Sequence, residues 1–130
     1  MEQSLQTHSG SDKSFRMSQN FDQCIQDCID CYQHCMSCIT HCLSLGGKHS
    51  EQSHITLMLE CAEICNLSAT LMELKGQFSH EHCQLCAKVC EACAASCREI
   101  GPDDNMMNEC ADMCLRCAES CRNMNQEHVA

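Results

Sequence analysis

The spacing of the cysteines is the feature that most restricts how this chain can fold. Between Cys24 and Cys42 the sequence reads CIQDCIDCYQHCMSCITHC, with successive cysteines separated by steps of 4, 3, 4, 3 and 4 residues. Steps of three and four place side chains on one face of an α-helix, where a helical bundle normally carries leucine. The segment is therefore predicted to be a helix whose inward face is lined with thiols.

The same spacing recurs in three later segments. The second segment keeps the steps of three and four residues, but only two of its six positions are cysteines: His54, Met58, Cys61, Cys65, Ser68 and Met72. Together the four stripes contain all 17 cysteines of the 130-residue chain. The predicted metal ligands are Cys24, Cys28, Cys31, Cys35, Cys38, Cys42, Cys61, Cys65, Cys83, Cys86, Cys90, Cys93, Cys97, Cys110, Cys114, Cys117 and Cys121.

Capping residues and helix breakers divide the chain into four predicted helices over residues 20–45, 51–75, 79–100 and 103–124. Asn20 is the predicted N-cap of the first helix, and Ser50 or Ser53 that of the second. Glycines follow the first three helices, and an acidic cap precedes the fourth. A flexible tail over 1–17 precedes a bundle over 18–126. Short connections favour antiparallel neighbours, so the predicted fold class is all-α, an antiparallel up-down-up-down four-helix bundle with a Cys-lined core.

Composition excludes several classes of function and predicts the compartment. The formal net charge is -10 and aromatic residues make up only 3% of the chain, so nothing favours a nucleic-acid partner. The start of the sequence has neither an apolar signal-peptide core nor a twin arginine, and no segment has 18 uncharged apolar residues in a row. The expectation is a cytoplasmic protein with reduced thiols and no membrane partner.

The thiol stripes predict a binding site for many soft metal ions. Sixteen cysteines form eight C-x-x-x-C pairs, three of them between Cys24 and Cys42. Residues four apart on a helix have Cβ atoms about 5–6 Å apart, a separation that one soft ion can bridge. Cu(I) prefers thiolate and thioether ligands and tolerates low coordination numbers. If every sulfur is shared, about 17 Cu(I) ions fill one chain.

Copper accounts for the cysteines better than their other common uses do. A core built only of small cysteine side chains would be weak, a reducing compartment disfavours disulfides, and iron–sulfur clusters draw on irregular loops. Two alternatives to a non-catalytic copper store remain: a redox-responsive thiol or disulfide protein, which requires exposed thiols, and a zinc or general metal buffer.

The ends of the predicted bundle supply candidate entrance ligands. In this topology the end of the first helix lies beside the start of the second and fourth helices. The candidate entrance ligands there are His41, His54, Met58, Met106 and Met107. The remaining histidines away from the stripes, His8, His34, His49 and His128, are predicted to be solvated. Helix two also carries extra apolar residues, which either close the bundle walls or contact another subunit.

With Cys-x-x-x-Cys stripes on all four predicted helices, residues of about 20 to 124 resemble the bacterial copper storage proteins, specifically their cytosolic branch. The resemblance implies a cysteine-lined four-helix bundle that holds many Cu(I) ions and assembles as a homotetramer, with a copper chaperone as a candidate partner. The sequence departs from the family pattern in two places. Helix two has only Cys61 and Cys65, and Cys83 adds a C-x-x-C at the start of helix three.

Overall fold

Four long helices form the bundle that the cysteine spacing predicted. The computed structural model describes the backbone of residues 12–129 and the side chains of residues 19–124. The helices are α1 (Asp12–Leu45), α2 (Gln52–Glu73), α3 (Ser79–Ile100) and α4 (Asn105–Val129), with a short 3-10 helix at Gly47–Ser50. Helices α1 and α3 each pack against both α2 and α4. The all-α, up-down-up-down four-helix bundle is therefore confirmed.

The first helix is longer than predicted. It begins at Asp12, so residues 12–17 are helical, and residues 1–11 of the predicted tail lie outside the described residues. The prediction that Asn20 caps the helix is wrong, because Asn20 lies inside α1. Neither glycine nor proline occurs between residues 12 and 45, so nothing in this stretch stops the helix before the Gly46-Gly47 pair. These two glycines have φ angles of 73° and 58°, which let the chain turn back.

The ends of α2 also differ from the prediction. Neither Ser50 nor Ser53 is its N-cap: that position belongs to Glu51, whose side chain makes no capping hydrogen bond. At the other end, Lys75 takes the left-handed conformation, with a φ of 56°. The amides of Lys75 and Gly76 donate to the carbonyls of Met72 and Leu71, at 3.0 and 2.9 Å. This pair of bonds is the Schellman motif, so α2 ends at Glu73 rather than near residue 75.

Helix α4 begins with a side-chain cap, as its acidic loop predicted. Asp104 Oδ1 accepts hydrogen bonds from the backbone amides of Met106 and Met107, at 2.9 and 3.2 Å. The helix starts at Asn105, two positions after the predicted start, and continues to Val129 instead of ending near residue 124. No glycine or proline follows residue 102, so the sequence contains no strong stop there.

Sulfur and small side chains fill the centre of the bundle. All 17 cysteines are buried. Buried alanines lie beside them along the helices, at Ala62, Ala69, Ala87, Ala94, Ala111 and Ala118. Cysteine and alanine both bury less apolar area than leucine, so the core gains little hydrophobic free energy for its length. The helices are thus held close around a column of thiols.

Helix α2 differs from the other three in its apolar outer surface. Ile55, Leu57 and Ile64 pack partly against the core, whereas Leu59 and Leu67 are exposed. Among the described residues, α2 is the one helix long and apolar enough to cross a bilayer. Core helices meet the same criteria, and α2 contributes its cysteines to the core that all four helices share.

Candidate metal centre

The thiols form one continuous column because each helix presents its stripe to the others. Cys114 of α4 lies 3.8 Å from Cys31 of α1 and 3.8 Å from Cys61 of α2, measured between Sγ atoms. One turn further along α2, Cys65 Sγ lies 3.6 Å from Cys90 Sγ and 3.8 Å from Cys117 Sγ. A metal ion placed between such sulfurs would therefore be held by several helices at once.

Groups of four sulfurs lie close enough to share metal ions. Within each group all Sγ atoms are within 4.8 Å of one another, and every member is buried. The groups overlap, since six cysteines each belong to two of them: Cys31, Cys61, Cys65, Cys86, Cys90 and Cys117. Four such groups are Cys28/Cys86/Cys117/Cys121, Cys31/Cys61/Cys65/Cys90, Cys31/Cys35/Cys61/Cys114 and Cys65/Cys86/Cys90/Cys117. Overlap of this kind suits a chain of neighbouring ions better than one isolated ion.

Most of the short sulfur contacts join different helices. Examples are Cys24 with Cys121 at 3.7 Å and Cys28 with Cys117 at 3.6 Å. Within a helix, the C-x-x-x-C pair Cys86/Cys90 reaches 3.9 Å. Bridging of the eight intrahelical pairs by metal ions thus stays a prediction. The structure adds pairs of cysteines on different helices, which sequence spacing alone could not identify.

Hydrogen bonds among the thiols lower the pKa of some cysteines and raise the pKa of others. The pKa of Cys61 is lowered because neighbouring thiols, Cys114 foremost, hydrogen-bond to its sulfur. The pKa of Cys65 is raised, chiefly through its contact with Cys117. Burial raises the pKa of Cys42 to about 11. Many thiols therefore keep their protons at neutral pH, and binding of metal must release them.

One end of the column, which we term the Met107 end, carries neutral donors. Met107 Sδ lies 3.4 Å from the Sγ atoms of both Cys38 and Cys42. His54 Nε2 lies 3.5 Å from Cys42 Sγ, and its Nδ1 is 2.8 Å from Ser96 Oγ. Burial lowers the pKa of His54, so its ring is neutral and able to offer a lone pair.

The other end, which we term the Met72 end, is closed by three thiols. Cys24, Cys83 and Cys121 have their Sγ atoms within 4.8 Å of one another. Met72 Sδ lies 3.7 Å from Cys83 Sγ. Cys83, the one cysteine outside the C-x-x-x-C pairs, thus completes a group of three sulfurs contributed by three helices.

The five candidate entrance ligands take different positions. His54 and Met107 contact core thiols, and Met58 is buried at the same end. His41 Nε2 instead hydrogen-bonds Asp104 Oδ2 at 2.7 Å. Met106 is 39% exposed and lies outside the core. The structure therefore brings His54 and Met107 against the thiol column and buries Met58 in the same core.

Several polar residues near the column were missed or misread from the sequence. The prediction that His49 is solvated is wrong: its ring lies edge-on to that of His41, and its Nε2 is buried and 3.7 Å from Asp104 Oδ2. His82 is buried at the Met72 end, with Nδ1 3.2 Å from Ser68 Oγ. Ser68 lies on the predicted stripe of α2, but nothing in the sequence indicates that it contacts His82. His34 is exposed as predicted, and the side chains of His8 and His128 lie outside the described part.

A helical bundle that buries overlapping groups of thiols belongs to the class of proteins that bind soft metal ions in the core. A family model described as "Csp: Copper storage protein" matches residues 17–126, so the chain belongs to the copper storage protein family.

Solved structures agree with this assignment. Nmul_A1745 from Nitrosospira multiformis is 43% identical, with a TM-score of 0.77 over 84% of this chain and 97% of that chain. The Cu(I)-bound copper storage protein BsCsp3, of Bacillus subtilis, is 40% identical, with a TM-score of 0.75 over 82% of this chain and 98% of its own. A cytosolic copper storage protein from Streptomyces lividans shares the fold at 24% identity and a TM-score of 0.73, over 91% of this chain and 98% of that chain.

Proposed function

We propose that this chain stores Cu(I) reversibly in its core, with all 17 cysteines as ligands and a capacity approaching one ion per cysteine. The observation that carries the proposal is the set of overlapping four-thiol groups, in which every sulfur is buried and lies within 4.8 Å of its neighbours. Cu(I) suits these sites because it is soft and accepts two or three sulfur ligands.

A monovalent ion also satisfies charge balance in the core. A Cu(I) ion that replaces one thiol proton leaves the net charge of the core unchanged. Seventeen uncompensated charges in a core of low dielectric would be prohibitively costly, so the core must load without accumulating charge. Storage then needs only binding and release, and we propose no catalytic step.

An anaerobic titration tests the proposal. Reduced protein is titrated with Cu(I), and binding is followed through the copper–thiolate absorbance, with released protons measured in parallel. We expect the signal to rise until the number of bound ions approaches the number of cysteines, with about one proton released per ion. Saturation at one or two ions per chain would contradict copper storage.

Zinc buffering is the second candidate, because four thiols within 4.8 Å of one another also suit a tetrahedral Zn²⁺ ion. A competition experiment separates the two functions. Protein loaded with Cu(I) is dialysed against excess zinc, and both metals are then quantified. Retained copper supports the copper store, whereas exchange of most copper for zinc supports a general metal buffer.

A redox-responsive role has less support. Such proteins rely on exposed thiols of low pKa, and here every cysteine is buried. The discriminating measurement is a count of free thiols in protein isolated under anaerobic conditions. A full set of free thiols favours storage, and a large fraction of disulfides favours redox exchange.

We propose a homotetramer as the assembled form, formed partly through the outer face of α2. Leu59 and Leu67 on this helix are 44% and 48% exposed, and Leu74, its C-cap residue, is 73% exposed. Mass measurement in solution should give four chains per particle. Substitution of Leu59 and Leu67 by glutamate should reduce that number, whereas Leu85→Glu on α3 serves as an exposed control.

We place this store in the cytoplasm, where a reducing environment keeps thiols available for copper. The Streptomyces lividans relative described as cytosolic supports the same location. A copper chaperone is the expected donor or acceptor of the ions. Fractionation of cells and transfer of copper from a loaded chaperone to the reduced protein would test the two statements separately.

A further inference from the structure

The seam between α1 and α4 is held at two places and open between them. Asp27 of α1 accepts a hydrogen bond from Ser120 of α4 towards the Met72 end. His41 of α1 bonds Asp104, just before α4, at the Met107 end. Between these two anchors lies a groove of about 280 Å³, lined by Gln33, His34, Ser37, Met106, Glu109 and Cys110. A second groove of similar volume continues along the same seam and shares His34 and Glu109.

The groove combines soft donors with an acidic rim. His34 Nδ1 lies 3.1 Å from the backbone carbonyl oxygen of Asp30. A carbonyl can only accept a hydrogen bond, so Nδ1 is the donor, and the lone pair of the corresponding neutral tautomer is on Nε2. Met106 adds a thioether that is 39% exposed. Glu109 and the overall charge of -10 attract cations to this surface.

Cys110 connects the groove with the thiol column. It is 1% exposed and lines the groove together with His34 and Met106. Its Sγ lies 3.9 Å from that of Cys35 inside the column. Met107 and His54 at the Met107 end are shielded from solvent to the same degree as Cys110, at 0% and 2% exposed. Because His34 and Met106 are exposed, an ion arriving from solution can reach both without entering the column.

We propose that Cu(I) is captured in the α1–α4 groove by His34 Nε2 and Met106 Sδ and passed to Cys110, so that the column is loaded from the side of the bundle. In the transfer the bonds from copper to nitrogen and thioether sulfur break, and a bond to Cys110 Sγ forms. The thiol proton of Cys110 leaves to water, and copper stays in the +1 state. This inference rests on the proposed storage of Cu(I).

The experiment measures the rate of copper uptake. Cu(I) is supplied anaerobically as its glutathione complex to reduced full-length protein, and copper–thiolate absorbance is followed by stopped flow. The double variant His34→Ala, Met106→Leu removes the capturing donors. Ser37→Trp fills the groove and leaves both donors in place. The matched controls are Met36→Leu, an exposed methionine of α1, and Thr40→Trp, one turn further along the same helix.

We expect both groove variants to load about 10-fold more slowly than the wild-type protein, and both controls to load at the wild-type rate. Wild-type loading rates in either groove variant, or equal slowing in the controls, would overturn lateral loading. The copper content of the wild-type protein at saturation tests storage separately. If the wild-type protein fills with copper and the groove variants load equally fast, only the lateral route is refuted. If the wild-type protein binds only one or two ions, storage itself is refuted.

Discussion

The two ends of the bundle differ in their donor atoms although the same four helices build both. At the Met107 end, a thioether and an imidazole nitrogen lie against Cys42, at 3.4 and 3.5 Å. At the Met72 end, three thiols group together, and the Met72 thioether lies 3.7 Å from one of them, Cys83. A thiolate binds Cu(I) more strongly than a neutral donor because it is charged and polarisable. The Met72 end should therefore retain copper, and the Met107 end should exchange it more readily.

The two ends also share a hydrogen bond between a histidine and a serine. In each, a histidine on one helix of the α2–α3 pair hydrogen-bonds a serine on the other helix: His54 with Ser96, and His82 with Ser68. The two pairs are related by the antiparallel arrangement of α2 and α3. The Nδ1 partners are thus alike, whereas the Nε2 atoms differ: that of His54 lies 3.5 Å from Cys42 Sγ, and that of His82 is buried without a hydrogen-bond partner among the described residues.

The largest effect is expected from removal of the thiols at the Met72 end. The triple variant Cys24→Ser, Cys83→Ser, Cys121→Ser should lose about three Cu(I) ions per chain, since each thiol supports about one ion. Metal analysis after anaerobic loading measures the loss. Met72→Leu, which keeps all three thiols, is the control. An unchanged copper content in the triple variant would contradict a role for this end in retention.

A smaller effect is expected from the neutral donors at the Met107 end. The variants His54→Ala and Met107→Leu should each weaken binding of the most weakly held ions by about 10-fold, because a neutral ligand contributes less than a thiolate. Competition with a Cu(I) chelator measures the affinity. Met72→Leu provides the matched methionine at the other end. Equal weakening by Met72→Leu and Met107→Leu would show that the two ends do not differ.

The serine partners should have unequal effects on stability. Ser68 is fully buried, so Ser68→Ala leaves His82 Nδ1 without a partner and should cost about 1–3 kcal/mol in the free energy of unfolding. Ser96 is only half-buried, so water can replace its hydroxyl, and Ser96→Ala should cost about 0.5–1 kcal/mol. Urea unfolding of metal-free protein measures both. A larger loss for Ser96→Ala would contradict this account of the two pairs.

A comparably small effect concerns the cap of α4 and its dependence on pH. The hydrogen bond from His41 lowers the pKa of Asp104 below its ordinary value of 3.8. Because the folded-state pKa is depressed, the stabilisation is present above pH 3.8 and is lost as the pH falls through the folded-state value. Asp104→Ala should cost about 1 kcal/mol near pH 7.

Urea unfolding from pH 7 down to pH 2 checks this prediction. The difference between wild type and Asp104→Ala should shrink in the acidic part of the range, once the wild-type carboxylate is protonated. Asp103→Ala, at an exposed position of the same loop, is the control. A difference that stays constant down to pH 2 would show that the charge of Asp104 does not contribute to the cap.

The bounds of the helices show where local sequence signals are reliable. The Gly46-Gly47 stop and an acidic cap before α4 were predicted correctly, because both act through the backbone of their own turn, and the structure identifies Asp104 as the capping residue. The predicted caps at Asn20 and Ser53 were wrong, since a capping residue type is compatible with the helix interior as well. Whether such a residue starts a helix depends on the segment before it.

The sequence by itself determined which face of each helix is buried and that sulfur atoms line this face. The steps of three and four residues place every cysteine inward, and the residue type selects a soft metal ion. Only the tertiary structure decided which thiols meet. Cys114 lies beside Cys31 and Cys61, and His82 beside Ser68, because of the relative register of the helices. Helical periodicity fixes neighbours within one helix, whereas side-chain contacts between helices set that register.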